Sequence, residues 1–197
     1  MLAVESPDGW RAARLVEVEA YAETDPASHA FGGPRTRNQV MFGDAAVLYV
    51  YFTYGMHWCC NVVTGTAGVG QAVLLRAAEP LVGIEGMQGE RGGVPLRDLC
   101  RGPARLAQAL AITGADNGAL IEARGRRGGD AGVGGGGSRR LAVLDDGVPA
   151  PGAPGVGPRV GITKAADVPW RWWVPDSPWV STFRLGARRR RGDPRLR

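Results

Sequence analysis

From Val16 to Tyr21 the chain alternates strictly between apolar and polar residues, and this short run carries its first candidate chemistry. As a β-strand it sets Val16, Val18 and Ala20 on one face and Glu17, Glu19 and Tyr21 on the other. A carboxylate can take a proton from water and so act as a general base. On pattern alone such a glutamate face reads as solvated, the ordinary state of the residue, although Tyr21 beside Glu19 counts against simple solvation. Other catalytic groups are scarce. The three cysteines, at 59, 60 and 100, form no CxxC pair, and Cys59 and Cys60 would face opposite sides of a strand. Only His29 and His57 could add histidine ligands, and the His-x-Glu and Pro-Cys-x-x-Cys pattern of zinc deaminases is absent, so neither a catalytic metal nor a disulfide framework is expected. No cofactor is signalled either. Lys164 is the only lysine and, with the N-terminal amine, the only candidate for a Schiff base.

The elements that must position these groups are legible in outline. At 197 residues and 44% hydrophobic content, the chain is long enough for one core. No apolar run reaches membrane-spanning length, and Met-Leu-Ala-Val-Glu lacks the features of a signal peptide, so a cytoplasmic protein without membrane contact is expected. The run from Val47 to Val63 holds three of the four tyrosines and reads as a β-hairpin broken at Tyr54-Gly55. Leu48, Val50 and Phe52 then share one face and Tyr49, Tyr51 and Thr53 the other, leaving Tyr54 at the tip. An exposed aromatic tip suggests insertion into a partner, whereas the other tyrosines also suit an ordinary half-buried sheet.

Ser6-Pro-Asp-Gly9 is a turn sequence, and residues 22–43 are polar and irregular, with the basic cluster Arg35-Thr36-Arg37-Asn38; a long loop of this kind tends to be functional. Gly70 to Ala77 reads as a strand, Glu79 to Met87 as a short helix with Pro80 in its first turn, and Ala104 to Ile112 as a helix opened by Gly102-Pro103. The region 125–158 is rich in Gly and Pro and is expected to be a flexible insertion outside the core. From Gly186 to Arg197 there are six arginines and one aspartate, which equals the whole formal excess of +5. That tail is expected to be a disordered arm adding salt-sensitive phosphate affinity to a single domain over residues 1–185.

Several motifs occur together and in order: Glu17-Val-Glu-Ala-Tyr21, His29, Arg37-Asn38-x-x-Met41-Phe42, Leu48-Tyr-Val-Tyr51-x-x-Tyr54-Gly55-Met56, Cys59-x-Asn61, Leu74-Leu-Arg76-Ala, Glu79-Pro80, Leu99-Cys-x-Gly-Pro103 and Ser177-Pro-Trp-Val180. With them the chain resembles the alkyladenine, or 3-methyladenine, DNA glycosylases of the vertebrate type, which include bacterial members. The resemblance spans about Arg14 to Ser181 apart from the glycine-rich stretch.

It implies an α+β fold, a single domain on a curved antiparallel sheet whose hairpin enters the DNA minor groove. It also implies excision of 3-methyladenine and 7-methylguanine, with hypoxanthine and ethenoadenine as further candidates. By the same resemblance Glu19 is the general base and Arg76 helps to place the water. Tyr21, His29 and Tyr51 enclose the flipped base, Asn61 rejects the exocyclic amine of guanine, and Tyr54 fills the vacated place in the duplex. Met56 and the cluster Arg35, Thr36, Arg37 and Asn38 are expected against the DNA. Double-stranded DNA containing damaged purines is then the partner, and a monomer suffices.

Two other classes remain open at this stage. A binder of damaged DNA would keep the hairpin and basic loop but need no carboxylate at its pocket. A glycosylase with lyase activity would need Lys164 or the terminal amine, and neither falls in a matching block. The resemblance also implies a longer lead-in than the eighteen residues before Glu19, so either the native start lies upstream or a sheet edge is left uncovered.

Overall fold

In the computed structural model the described residues are 1–53, 55–124 and 139–186, and they form one α+β unit. The chain starts with a hairpin of β1 (Leu2–Ser6) and β2 (Gly9–Tyr21), closed by Pro7-Asp8 where the turn was expected. A second hairpin, β3 (Leu48–Thr53) and β4 (His57–Val63), pairs in register from Leu48 opposite Val62 to Thr53 opposite His57. Gly55 sits at its turn with φ +67°, a value that L side chains rarely adopt. Strand β5 (Ala72–Val82) lies between β4 and β2. Two short helices follow, α1 (Ile84–Glu90) and α2 (Pro103–Ala109), then β6 (Ile121–Arg124), β7 (Leu141–Leu144), β8 (Gly155–Gly157) and β9 (Arg171–Trp173).

All described strands belong to one sheet, ordered β3-β4-β5-β2-β1-β7-β6, with β9 pairing to β2 and β8. Every pairing is antiparallel except that of β6 with β7. Strand β2 is the axis. One edge runs along β5, while the other is covered first by β1, from Leu2 opposite Ala13, and then by β9, from Glu17 opposite Trp173. Shifts of register at Ala12/Ala13 and around Glu17 curl the sheet, as bulges do.

The two faces of the β3–β4 hairpin serve different layers. Leu48, Val50 and Cys60 point into the main core with Leu75, Leu99, Leu106 and Leu110, beneath α1 and α2. Each such leucine contributes about 1.5–3 kcal/mol through its burial. On the opposite face Tyr49 packs with Met41, Val63 and Ala72, and Tyr51 lies against them. The alternation expected for the hairpin is thus observed, and Cys59 and Cys60 do face opposite ways. Phe52 is the exception, 52% exposed beyond the end of the core and resting on Trp58 at 4.6 Å between ring centroids.

Three expectations need correction. Glu79 and Pro80 are not helical: both lie in β5, Pro80 opposite Ala13 at a register shift, where a missing ladder N–H is tolerated. The helix starts only at Ile84, after Gly83 at φ +71°. The region 125–158 is not wholly an insertion, because Leu141 and Ala142 are buried in β7 and Gly155–Gly157 pairs with β9; residues 125–138 lie outside the described residues. Finally, β1 leaves no edge uncovered beside β2, since β7 pairs along its other side. The basic tail after Gly186 also lies outside the described residues.

Candidate active site

The C-terminal half of β2 carries two carboxylates into the protein, and both are sealed from solvent, Glu17 at 1% and Glu19 at 0% exposure. The solvated face read from alternation is therefore overturned, because β9, the 159–162 segment and Ser181 close over it. Buried charge must be paired and hydrogen-bonded to persist, and each oxygen here is occupied. Glu19 accepts the Tyr21 hydroxyl on Oε2 at 2.9 Å and the Val160 amide on Oε1 at 2.6 Å, with Arg76 Nη1 at 3.4 Å from Oε2. Glu17 accepts from Arg171 Nε at 2.6 Å, Arg76 Nε at 3.2 Å, and the amide and hydroxyl of Ser181 at 2.7 and 3.0 Å. Two carboxylates and two guanidiniums make a formally neutral cluster. Arg76 is shared by both acids, so Glu17 fixes the guanidinium that faces Glu19.

In front of this cluster lies a cavity of about 350 Å³, lined by Tyr21, His29, Tyr49, Tyr51, Cys59, Asn61 and Arg76, and by Val160, Gly161 and Ile162. Glu19 does not itself line it. The carboxylate is one side chain deep, behind Tyr21 and Arg76. Aromatic rings make the walls flat: Tyr49 and Tyr51 stack at 5.7 Å and 28°, and His29 meets Tyr51 edge-on at 4.5 Å. His29 Nδ1 is 3.0 Å from the Tyr49 hydroxyl. Burial, and then the charge of Arg37, hold the imidazole below its ordinary range, which favours the neutral ring. Burial pushes Tyr49 up to about 12, and burial followed by the Glu19 charge pushes Tyr21 higher still, so the Tyr21 hydroxyl keeps its proton and donates to Glu19. The Cys59 thiol is raised to about 11 by burial, which leaves it an unreactive wall group.

The residues singled out from the sequence divide into three groups. Glu19, Tyr21, His29, Tyr51, Asn61 and Arg76 are brought together around this one cavity, and Asn61, buried, donates to the Tyr49 carbonyl at 3.1 Å. Arg35, Thr36 and Arg37 stand exposed on the loop beside it, and Met56 is 67% exposed at the hairpin turn, whereas Tyr54 lies outside the described residues. Asn38 does not belong to an exposed surface. It is 0% exposed, donating to the carbonyls of His29 and Gly33 and accepting the Arg35 amide at 2.6 Å, and so holds the loop in shape. Lys164 is exposed and is not among the lining residues of the cavity.

Sequence reasoning missed Glu17, Tyr49, Val160 and Arg171. Alternation had placed Glu17 on the right face, and only its assumed solvation hid it. Arg171 and the Val160 amide arrive from more than 130 residues away and leave no local signal.

A flat aromatic slot backed by a buried carboxylate and an arginine is a candidate site for a planar ring system. The chain belongs to the methylpurine-DNA glycosylase family, whose model matches residues 1–178. It is 50% identical over 173 residues to a protein of Burkholderia cenocepacia (strain HI2424), covering 87% of this chain and 77% of that one. Identity is 47% over 167 residues with a protein of Rhodopseudomonas palustris (strain ATCC BAA-98 / CGA009), and 45% over 168 residues with one of Nitrosospira multiformis. Each alignment covers 85% of this chain, and 73% and 78% of the respective relative. All three relatives are provisionally named 3-methyladenine DNA glycosylase. Among the described residues no helix is long and apolar enough to cross a membrane.

Proposed function

We propose that this protein is a monofunctional DNA glycosylase that removes 3-methyladenine, and with it 7-methylguanine, from double-stranded DNA, acting as a monomer after flipping the damaged base into the cavity. The observation that carries the reading is Glu19, a carboxylate at 0% exposure held behind the cavity wall by Tyr21, Val160 and Arg76. A purine ring stacks between Tyr21 on one side and His29 and Tyr51 on the other, and stacking of this kind is worth about 1–3 kcal/mol without preferring one base. A water seated where Tyr21 and Arg76 converge on Oε2 gives its proton to Glu19 as its oxygen bonds to C1′. The glycosidic electron pair leaves with the base nitrogen. A 3- or 7-methylated purine is already cationic, and the departing pair neutralises it, so no second carboxylate is needed to protonate the leaving group as in O-glycoside hydrolysis. A positioned general base supplies about 10²–10⁴-fold. The rest comes from orientation and from the electrostatics of the buried cluster. Neutral lesions such as hypoxanthine and ethenoadenine lack that cationic help and should be slower.

The hairpin and the loop bearing Arg35 and Arg37 would meet the DNA on the side where the cavity opens, with Tyr54 as the wedge. Alkylated duplex DNA incubated with the protein should release free methylated purines and leave alkali-labile abasic sites, with no adduct trapped by borohydride. Tyr54→Ser should slow excision from paired DNA by about tenfold and from single strands much less, because unpairing costs a few kcal/mol only in the duplex. Equal loss on both substrates would instead make Tyr54 a packing residue.

A further inference from the structure

A further buried charged group beside the catalytic arrangement and outside the cavity is Arg159, 2% exposed and among the largest fully buried side chains. Its guanidinium forms an ion pair with buried Asp25, the residue that opens the loop leading to His29. Nη1 also donates to the Ala20 carbonyl at 3.0 Å, between Glu19 and Tyr21 on the catalytic strand, and Nη2 reaches the Ala165 carbonyl at 3.5 Å. The guanidinium carbon lies 4.6 Å from the Tyr21 ring centroid and 5.4 Å from that of Trp170. Tyr21 lines the cavity and Arg159 does not, so the cation covers the side of the ring that faces away from it. The next residue along the chain, Val160, gives its amide to Glu19.

One side chain therefore grips both hydrogen-bond donors of the carboxylate: Tyr21 through its ring and through Ala20, and Val160 through its own backbone. Among the described residues Nε finds no protein acceptor, so the group is not placed to maximise its hydrogen bonding. Packing alone could be met by an apolar side chain of similar volume, without a buried charge that needs Asp25 to neutralise it.

We propose that Arg159 is a positioning residue of the reaction, acting through Tyr21 and the Val160 amide to hold the Glu19 carboxylate in one orientation. The proposal rests on the reading of Glu19 as the general base. It predicts a loss of rate without a matching loss of affinity, and a loss that depends on Tyr21.

The test uses single-turnover release of methylated purines from alkylated duplex DNA, with binding to an abasic-site duplex as the affinity readout. Arg159→Lys keeps the charge beside Asp25 but loses the fork, and the rate should fall about tenfold; the double variant Arg159→Met/Asp25→Asn, which strands no charge, should lose about 100-fold, the scale expected for a misplaced catalytic group. Abasic-duplex affinity should stay within about threefold in variants that melt cooperatively. Adding Tyr21→Phe to the double variant should cost little more, because both changes remove the same restraint. A folded double variant with the parent rate, losses in rate and affinity that run in parallel, or a Tyr21→Phe effect that multiplies in full would each overturn the proposal. Glu19→Gln is measured alongside. If that variant remains active the base assignment has failed, whereas an inactive Glu19→Gln beside a fully active Arg159 double variant refutes the positioning role alone.

Discussion

The two halves of β2 both bury charge, and they do so in opposite ways. Near its start Arg11, with its side chain 5% exposed, donates to the Ala109 carbonyl at the end of α2 at 3.1 Å and pairs with Asp8 and Glu90, carboxylates that are 50% and 44% exposed. Near its end Glu17 and Glu19 meet Arg76 and Arg171 with every side chain at 8% exposure or less. In the first group the acids can turn to water if the arginine is lost. In the second no member has that escape. The first is a staple between strand and helix; the second holds a carboxylate oriented in a dry wall, as the proposed proton transfer from water requires.

The comparison is broken most severely by Glu19→Gln, which keeps the shape but removes the basic lone pair. Single-turnover excision should fall by about 10²-fold or more while lesion binding survives, and an active variant would dissolve the distinction between the two ends. Glu17→Gln comes next. It leaves Arg76 and Arg171 with only Glu19 between them, so unfolding in urea should show a loss of about 3–5 kcal/mol, together with slower excision per folded molecule. A stable, fully active Glu17→Gln protein would mean that Arg76 is placed by other contacts. Arg11→Met should cost about 1–3 kcal/mol for the orphaned Ala109 carbonyl, with excision per folded molecule unchanged.

The smallest effect is one of pH. The His29 ring is held below its ordinary 6.5 by burial and by Arg37, so the unfolded chain binds that proton more readily than the folded one. This contribution to stability is complete above about pH 6.5 and declines as pH falls below it. His29→Gln should flatten the change in urea midpoint between about pH 7.5 and about pH 5.5, and an unaltered slope would place the acid sensitivity elsewhere.

Local pattern accounts for much of this molecule. Period-2 alternation put Tyr49 and Tyr51 on one side of the hairpin and Leu48 and Val50 on the other, and put Glu17, Glu19 and Tyr21 on a common face, because pleating is a property of the strand itself. Turn chemistry located Pro7-Asp8 and Gly55, and Gly102-Pro103 marked the start of α2. Pro80 misled, since the same residue that can open a helix can also sit at a bulge, and only the pairing of β5 with β2 chooses. Asn38 misled likewise: nothing in Arg35-Thr36-Arg37-Asn38 says which side chain turns inward. Whether Glu17 and Glu19 are wet or dry was decided by β9, Val160 and Ser181, which fold over them from the far end of the chain. Burial is a property of what covers a residue, and that depends on long-range contacts that no local periodicity contains.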